Sequence, residues 1–216
     1  MSEQANIKDM NPQEILNWII NADNHQQLEE HYDLIAEKYE QISADLFGRE
    51  DRPLLSKIVQ YIPKNACILD VGVGTGIVGQ QLSQLGYNHF TGIDISQKML
   101  LEAKKKNVYT DLKQMVLGER LDFKDNFFDA AIASRVVAHN HAPLSCFDEL
   151  IRITKPEGYI IFTIKSYFYE TSDFKDKLNS LESSGKWKLV EVGEKYQPMP
   201  KVDKNLYCNV WICSVI

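Results

Sequence analysis

"ILDVGVGTG", residues 68–76, decides the fold. Ile68 and Leu69 run apolar into Asp70, and Gly72, Gly74 and Gly76 then alternate with Val73 and Thr75. A buried strand that ends on a carboxylate and three glycines is a backbone built for close approach, because glycine has no Cβ and tolerates left-handed conformations. Two questions follow: what approaches this turn, and what Asp70 does beside it.

Outward from the turn, apolar strand-like runs alternate with helical patterns. "ACILDV" (66–71) precedes a helix expected from 75 or 76 to 85, which Gly86 stops. "HFTGIDI" (89–95) precedes a helix that Ser96 caps and that carries Met99, Leu100 and Ala103. "LKQMVLG" (112–118) and "FFDAAIASRVV" (127–137) read as strands and "PLSCFDELIRIT" (143–154) as a helix. "GYIIFTIKSYF" (158–168) reads as a strand after a turn at 155–158, followed by a helix over 169–182. The last two strands are "GKWKLVEVGEKY" (185–196) and "LYCNVWICSVI" (206–216), joined without a helix and so expected to pair antiparallel at one end of the sheet. Repeated strand–helix alternation predicts parallel strands with right-handed crossovers and helices on both faces.

Before the sheet lie three helical segments. "NPQEILNWII" (11–20) opens with Asn11 as N-cap, Pro12 in the first turn and Glu14 completing a capping box. Leu28, Tyr32, Ile35, Tyr39, Ile42 and Leu46 follow at spacings of four and three. That stripe suits a helix packed on a core; two tyrosines one heptad apart also suit a lid over a ligand. "DRPLLSKIVQYI" (51–62) is the third helix, ended by Pro63.

Composition narrows the function. The 216 residues are 44% hydrophobic and carry 24 Lys and Arg against 30 Asp and Glu, a net charge of −6. Such a chain is large enough for one α/β domain and too acidic to track a phosphate backbone, so no nucleic-acid partner is expected. The basic run at 104–106 closes a helix, where cations suit the dipole. Cys67, Cys146, Cys208 and Cys213 form no CxxC pair, and reduced thiols are the natural reading. The first ten residues show no secretory pattern and no run reaches the ~20 apolar residues of a membrane span, which predicts a cytoplasmic protein with no membrane partner. No partner chain is implied, and no metal site.

In an open parallel sheet the ligand crevice lies beyond the carboxyl ends of the strands. Asp94, ending the second strand, is placed to hold ribose hydroxyls, or else to cap the next helix, a role Ser96 fits better. These features suit any nucleoside cofactor. The glycines, however, fall as G-x-G-x-G, not the G-x-G-x-x-G of a dinucleotide site; from Gly72 the sixth position is Ile77. Asp70 would also sit beside a pyrophosphate, whereas it suits a cofactor that is cationic near the turn.

"LDVGVGTG", "GIDISQKMLLEA", "FFDAAI" and "TKPEGYIIFT", in this order, resemble the motifs of class I S-adenosylmethionine-dependent methyltransferases from about residue 28 onward. "HYDLIAEKYE", "GIVGQQL", "VYTDL" and "FDELIRITKPEGY" are similar to the small animal methyltransferase-like proteins of the Williams–Beuren region type. The resemblance implies a single-domain, Rossmann-like, seven-stranded, mostly parallel sheet of order 3-2-1-4-5-7-6, the last strand antiparallel, over residues 51–216, with an N-terminal helical lid over 1–50. It implies S-adenosyl-L-methionine as cofactor. Gly72, Val73, Gly74 and Gly76 would face its amino-acid part with Asp70 beneath, and Asp94 would take the ribose, with Ile95 and Met99 on the adenine. Tyr32 and Tyr39 match the lid tyrosines, and Ser134 joins the cofactor set. Many relatives carry Gly-Asp-Ala-x-x-Leu-Pro-Phe after the third strand. Here "VLGERLDF" puts Leu117 at the Asp position, so adenine contacts shift to backbone near Leu117, Gly118 and Glu119.

Methyl transfer needs no protein nucleophile, since positioning supplies most of the catalysis. His139 and His141, in the loop 134–143, are candidates to act as base or orient the acceptor, or else are ordinary loop residues. Tyr167, Phe168 and Tyr169 line an acceptor pocket or belong to the core. A small-molecule acceptor is expected first and a protein side chain second. A catalytically silent cofactor-binding protein acting through a partner is the other reading, with a nucleotide-dependent oxidoreductase behind it.

Overall fold

A computed structural model describes residues 10–48, 51–137, 142–171, 173–200 and 202–216. Helices α1 (Pro12–Ile20), α2 (His25–Ile35), α3 (Tyr39–Phe47) and α4 (Arg52–Tyr61) lead into β1 (Ile68–Val71). Then come α5 (Ile77–Gln84), β2 (Phe90–Asp94), α6 (Gln97–Lys105), β3 (Asp111–Gln114) and β4 (Phe128–Ala133). The chain finishes with α7 (Cys146–Ile153), β5 (Thr154–Lys165), α8 (Ser166–Thr171), α9 (Phe174–Ser183), β6 (Trp187–Val192) and β7 (Cys208–Val215).

The sheet has seven strands in the order β3-β2-β1-β4-β5-β7-β6. β1 pairs parallel with β2 and β4, while β7 runs antiparallel between β5 and β6. β1 is buried along its whole length, as a central strand covered on both faces must be. Its side chains alternate. Ile68 joins the layer of Leu54, Ile58 and Leu82 from α4 and α5, and Leu69 and Val71 join that of Phe147, Leu150 and Leu178 from α7 and α9.

Several boundaries differ from those the sequence suggests. The tyrosine stripe is two helices, interrupted by a 3₁₀ turn at Ala36–Lys38 that buries Ala36. α2 begins at His25, three residues before the stripe, with the Asn24 side chain accepting from the Gln27 N–H as its cap. β4 stops at Ala133, and β5 begins at Thr154. The expected turn at 155–158 is looped out of that ladder: the register opposite β4 jumps from Thr154 to Tyr159, with Glu157 at φ 67°. Finally, Tyr167, Phe168 and Tyr169 stand on α8 rather than on a strand, and α9 is separate from it.

Helices α1–α3 pack over the carboxyl end of the sheet. Ile15, Ile19, Leu28, Ile35, Ile42 and Leu46 form one buried cluster with Met99 of α6 and with Met199 and Leu206 from the β6–β7 connection. Polar ties reinforce it. The Asp33 carboxylate accepts from Ser96 Oγ at 2.6 Å and from the Lys98 N–H at 3.1 Å, and Glu40 pairs with Lys106 at 2.7 Å. Among the described residues no helix is long and apolar enough to cross a membrane, and no cluster of three or more metal-type ligands occurs.

Candidate functional site

The group that approaches the glycine turn is the chain's own Tyr109. A Cβ on Gly76 would lie 2.9 Å from its ring, and one on Gly79, within α5, 2.2 Å from its hydroxyl. That hydroxyl donates to Asp70 Oδ2 at 2.7 Å. Burial pushes the Asp70 carboxyl up to about 7 against the opposing pull of this hydrogen bond, with Asp94 adding repulsion. Gly72, at φ 63°, is close to a second internal neighbour, the side chain of Val136. Gly74, at φ 53°, is different: the nearest atom to its Cβ position is a ring carbon of Tyr39, 3.8 Å away. Within the turn 72–76, Gly74 thus faces the space under the N-terminal helices.

Asp94, at the end of β2, lies on the same side. Its Oδ2 accepts from the Gly74 N–H at 2.8 Å and its Oδ1 from the Ser96 N–H at 2.9 Å. The Ile95 N–H adds a third backbone contact, and a carboxylate's four acceptor sites leave room for a further donor. Burial raises its carboxyl to about 6, with the backbone donors pulling the other way. The helix cap is Ser96, whose Oγ accepts from the Met99 N–H. Above Asp94 the Tyr32 and Tyr39 rings meet edge to face at 6.2 Å, and burial lifts the Tyr32 phenol well above its ordinary range.

At the end of β4 the chain turns through Ser134, Arg135 and Val136. Ser134 Oγ donates to Asp51 at 2.9 Å. Arg135 takes φ 60°, a conformation disfavoured for a bulky residue, and its N–H is fixed on the Thr163 hydroxyl at 2.8 Å. Its guanidinium lies 4.3 Å from the Phe47 ring centre and 3.4 Å from Ser43 Oγ. The motif "VYTDL" contains Tyr109 but gave it no role, and Arg135 stood in a strand-like run; a left-handed arginine and a tyrosine wedged against glycines become visible only in three dimensions.

These elements enclose a crevice of about 80 Å³ walled by Tyr32, Tyr39, Gly72, Gly74, Asp94, Ile95, Leu117 and Ser134 among the residues the sequence singled out, with Leu28, Met115 and Arg135 besides. Asp70, Val73, Gly76, Met99, Gly118 and Glu119 are not on its wall. Asp70 is sealed behind Tyr109, Val73 and Met99 are buried in neighbouring clusters, and Gly118 is close to Pro143. His139 and His141 lie outside the described residues. Phe168 and Tyr169 pack on the Phe174 and Trp211 rings of the core, while Tyr167 is 53% exposed. A second cavity of about 80 Å³ adjoins the crevice across Tyr32, Tyr39 and Arg135, and a groove of about 880 Å³ opens outside Ser43, Phe47 and Arg135.

A family model described as a methyltransferase domain matches residues 69–162. Methyltransferase-like protein 27 of Homo sapiens is 31% identical over 163 residues, covering 72% of this chain and 66% of that protein. The malonyl-[acyl-carrier protein] O-methyltransferase of Buchnera aphidicola subsp. Baizongia pistaciae is 34% identical over 136 residues, covering 62% of this chain and 53% of its own length. The chain therefore spans between half and two thirds of these relatives. Among solved structures, the TehB-like methyltransferase of Corynebacterium glutamicum superposes with a TM-score of 0.64 at 20% identity, covering 87% of this chain and 99% of that one. The [4+2]-cyclase SpnF superposes at 0.69 with 16% identity, covering 90% and 97%; at such identities the likeness shows the fold. Residues 69–162 match a methyltransferase domain, the strand order and the solved neighbours give the chain the fold of S-adenosylmethionine-dependent methyltransferases, and in sequence it is similar to the animal methyltransferase-like proteins.

Proposed function

We propose that this chain binds S-adenosyl-L-methionine in the crevice and methylates a small molecule in the cytoplasm. One observation carries the reading: a buried carboxylate, Asp94, held by backbone N–H groups and lining the crevice beneath two tyrosines. Ribose hydroxyls would complete its acceptor capacity, with Ile95 and Leu117 flanking the base and Gly74 letting the amino-acid part lie against bare backbone. Bound there, the cofactor supplies an electrophilic methyl group on a sulfonium. Asp94, ionised above about pH 6, leaves the crevice negative, which suits that positive charge. Helices α1–α3 act as the lid, and Tyr32 and Tyr39 keep water from the reacting end. The apolar lining of the adjoining cavity favours a small acceptor over nucleic acid, and the four free thiols suit a reducing compartment.

Isothermal titration tests this directly. S-Adenosylhomocysteine should bind and NAD should not; tighter binding of NAD would overturn the reading. The likeness in fold to the [4+2]-cyclase SpnF prompts a second reading, a cofactor-binding protein without methyl transfer. Turnover of labelled S-adenosylmethionine against a metabolite extract separates the two.

A further inference from the structure

We propose that the acceptor is an apolar monocarboxylic acid, its carboxylate held between Arg135 and Lys165 in the second cavity. This rests on the methyltransferase reading above. The cavity is lined by Leu16, Ile19, Leu46 and Met199 among others, and its polar members include both cations. No acidic residue is on its described wall. Neither cation makes an ion pair with a described carboxylate: Arg135 rests on Phe47 and Ser43, and Lys165 Nζ lies 6.0 Å from the Tyr167 ring centre. Two half-buried positive charges facing an apolar cavity are the complement of an amphipathic anion. Arg135 also walls the cofactor crevice, so an anion on its guanidinium sits at the boundary between the two spaces. Its left-handed backbone, pinned by Thr163, is strain held in place at that boundary.

The chemistry agrees with the lining. Cys208 is pushed up to about 11 by burial and Tyr32 well above its ordinary range, so neither is a base near neutrality. A carboxylate needs none. One carboxylate O–C bond forms as one S–C bond breaks, the electron pair passes to sulfur, and no proton moves. Sulfonium and carboxylate charges both vanish, and the product is a neutral methyl ester. The outer groove shares Ser43, Phe47 and Arg135 with the cavity and gives the acid its way in.

The test is titration of hexanoate, hexanol and hexylamine into the full chain saturated with S-adenosylhomocysteine. Hexanoate should bind best. Arg135→Met and Lys165→Met should each weaken it roughly tenfold, the loss of one charge-assisted hydrogen bond. Arg135→Lys should recover part of the Arg135→Met loss, and Lys165→Met should leave S-adenosylhomocysteine affinity unchanged. With labelled S-adenosylmethionine, hexanoate should yield label that alkali releases as methanol. Equal or tighter binding of hexanol or hexylamine, or hexanoate affinity indifferent to both methionine variants, overturns the proposal while leaving the cofactor reading intact. A chain that binds no S-adenosylhomocysteine overturns both.

Discussion

Asp70 and Asp94 end adjacent parallel strands, both are buried, and burial raises both, to about 7 and about 6. Yet they face different partners. Asp70 is closed off by a tyrosine of the chain itself, and Asp94 has only backbone donors and looks into a crevice. The glycines divide the same way: Gly76 and Gly79 make room for Tyr109, while Gly74 borders the crevice. A carboxylate beside glycines is therefore no sign of a ligand by itself. The distinction lies in whether a side chain of the same molecule already fills the space the glycines leave.

The sharpest way to break this contrast is Gly79→Ala. Its Cβ would fall 2.2 Å from the Tyr109 hydroxyl. Overpacking costs about 1–3 kcal/mol and the buried Asp70 loses its donor at about 1–3 more, so denaturant unfolding should show a loss of roughly 2–6 kcal/mol. Gly74→Ala, meeting only an ordinary contact, should cost stability about 1 kcal/mol and act mainly on cofactor affinity. Equal losses from the two would erase the division.

Asp70→Asn is next. Because the folded-state carboxyl sits near 7 against an ordinary 3.8, the folded chain holds its proton more tightly and its contribution to stability falls as pH rises across that window. The variant should gain on the wild type from about pH 4 to about pH 7, by on the order of 2–4 kcal/mol at the top. A difference that does not change with pH would show that the carboxyl titrates normally.

For Asp94→Ala the expected loss is in binding: S-adenosylhomocysteine should bind at least about tenfold more weakly, since charge-assisted hydrogen bonds are worth ~1.5–3 kcal/mol each. Unchanged affinity in titration would make Asp94 as internal as Asp70. The smallest effect belongs to the lid. Asp33→Asn weakens the tie to Ser96 and Lys98 by about 1 kcal/mol, so amide exchange across 28–35 should quicken. In the wild type, S-adenosylhomocysteine should protect 28–47 more than β6 and β7. Identical exchange with and without it would return both tyrosines to the core.

Much of the sheet was legible because hydrophobic runs and glycine stops are local signals: β1, β2 and the capping box of α1 stand where the sequence puts them. Asp94, Gly74 and the tyrosine stripe were legible as candidates for the same reason. What was not legible depends on distant pairs. Tyr109 meets Asp70 across 39 residues, and Arg135 is held by Thr163 across 28. Met199 and Leu206, between β6 and β7, join the cluster of α1–α3, although nothing in "QPMPKVDKN" signals that those helices pack there. The 3₁₀ turn in the tyrosine stripe keeps the heptad spacing intact, so periodicity could not reveal it.

That shared cluster has a consequence during synthesis. The apolar faces of α1–α3 are made before the sheet, and while Met99 follows within about sixty residues, Met199 and Leu206 of the same cluster come more than 150 residues after Leu46. At ~5–20 residues per second, the nascent lid waits on the order of ten to thirty seconds with its apolar stripe incompletely covered. These helices are made well before the residues that complete their seat, so their packing is settled only when the C-terminal strands arrive.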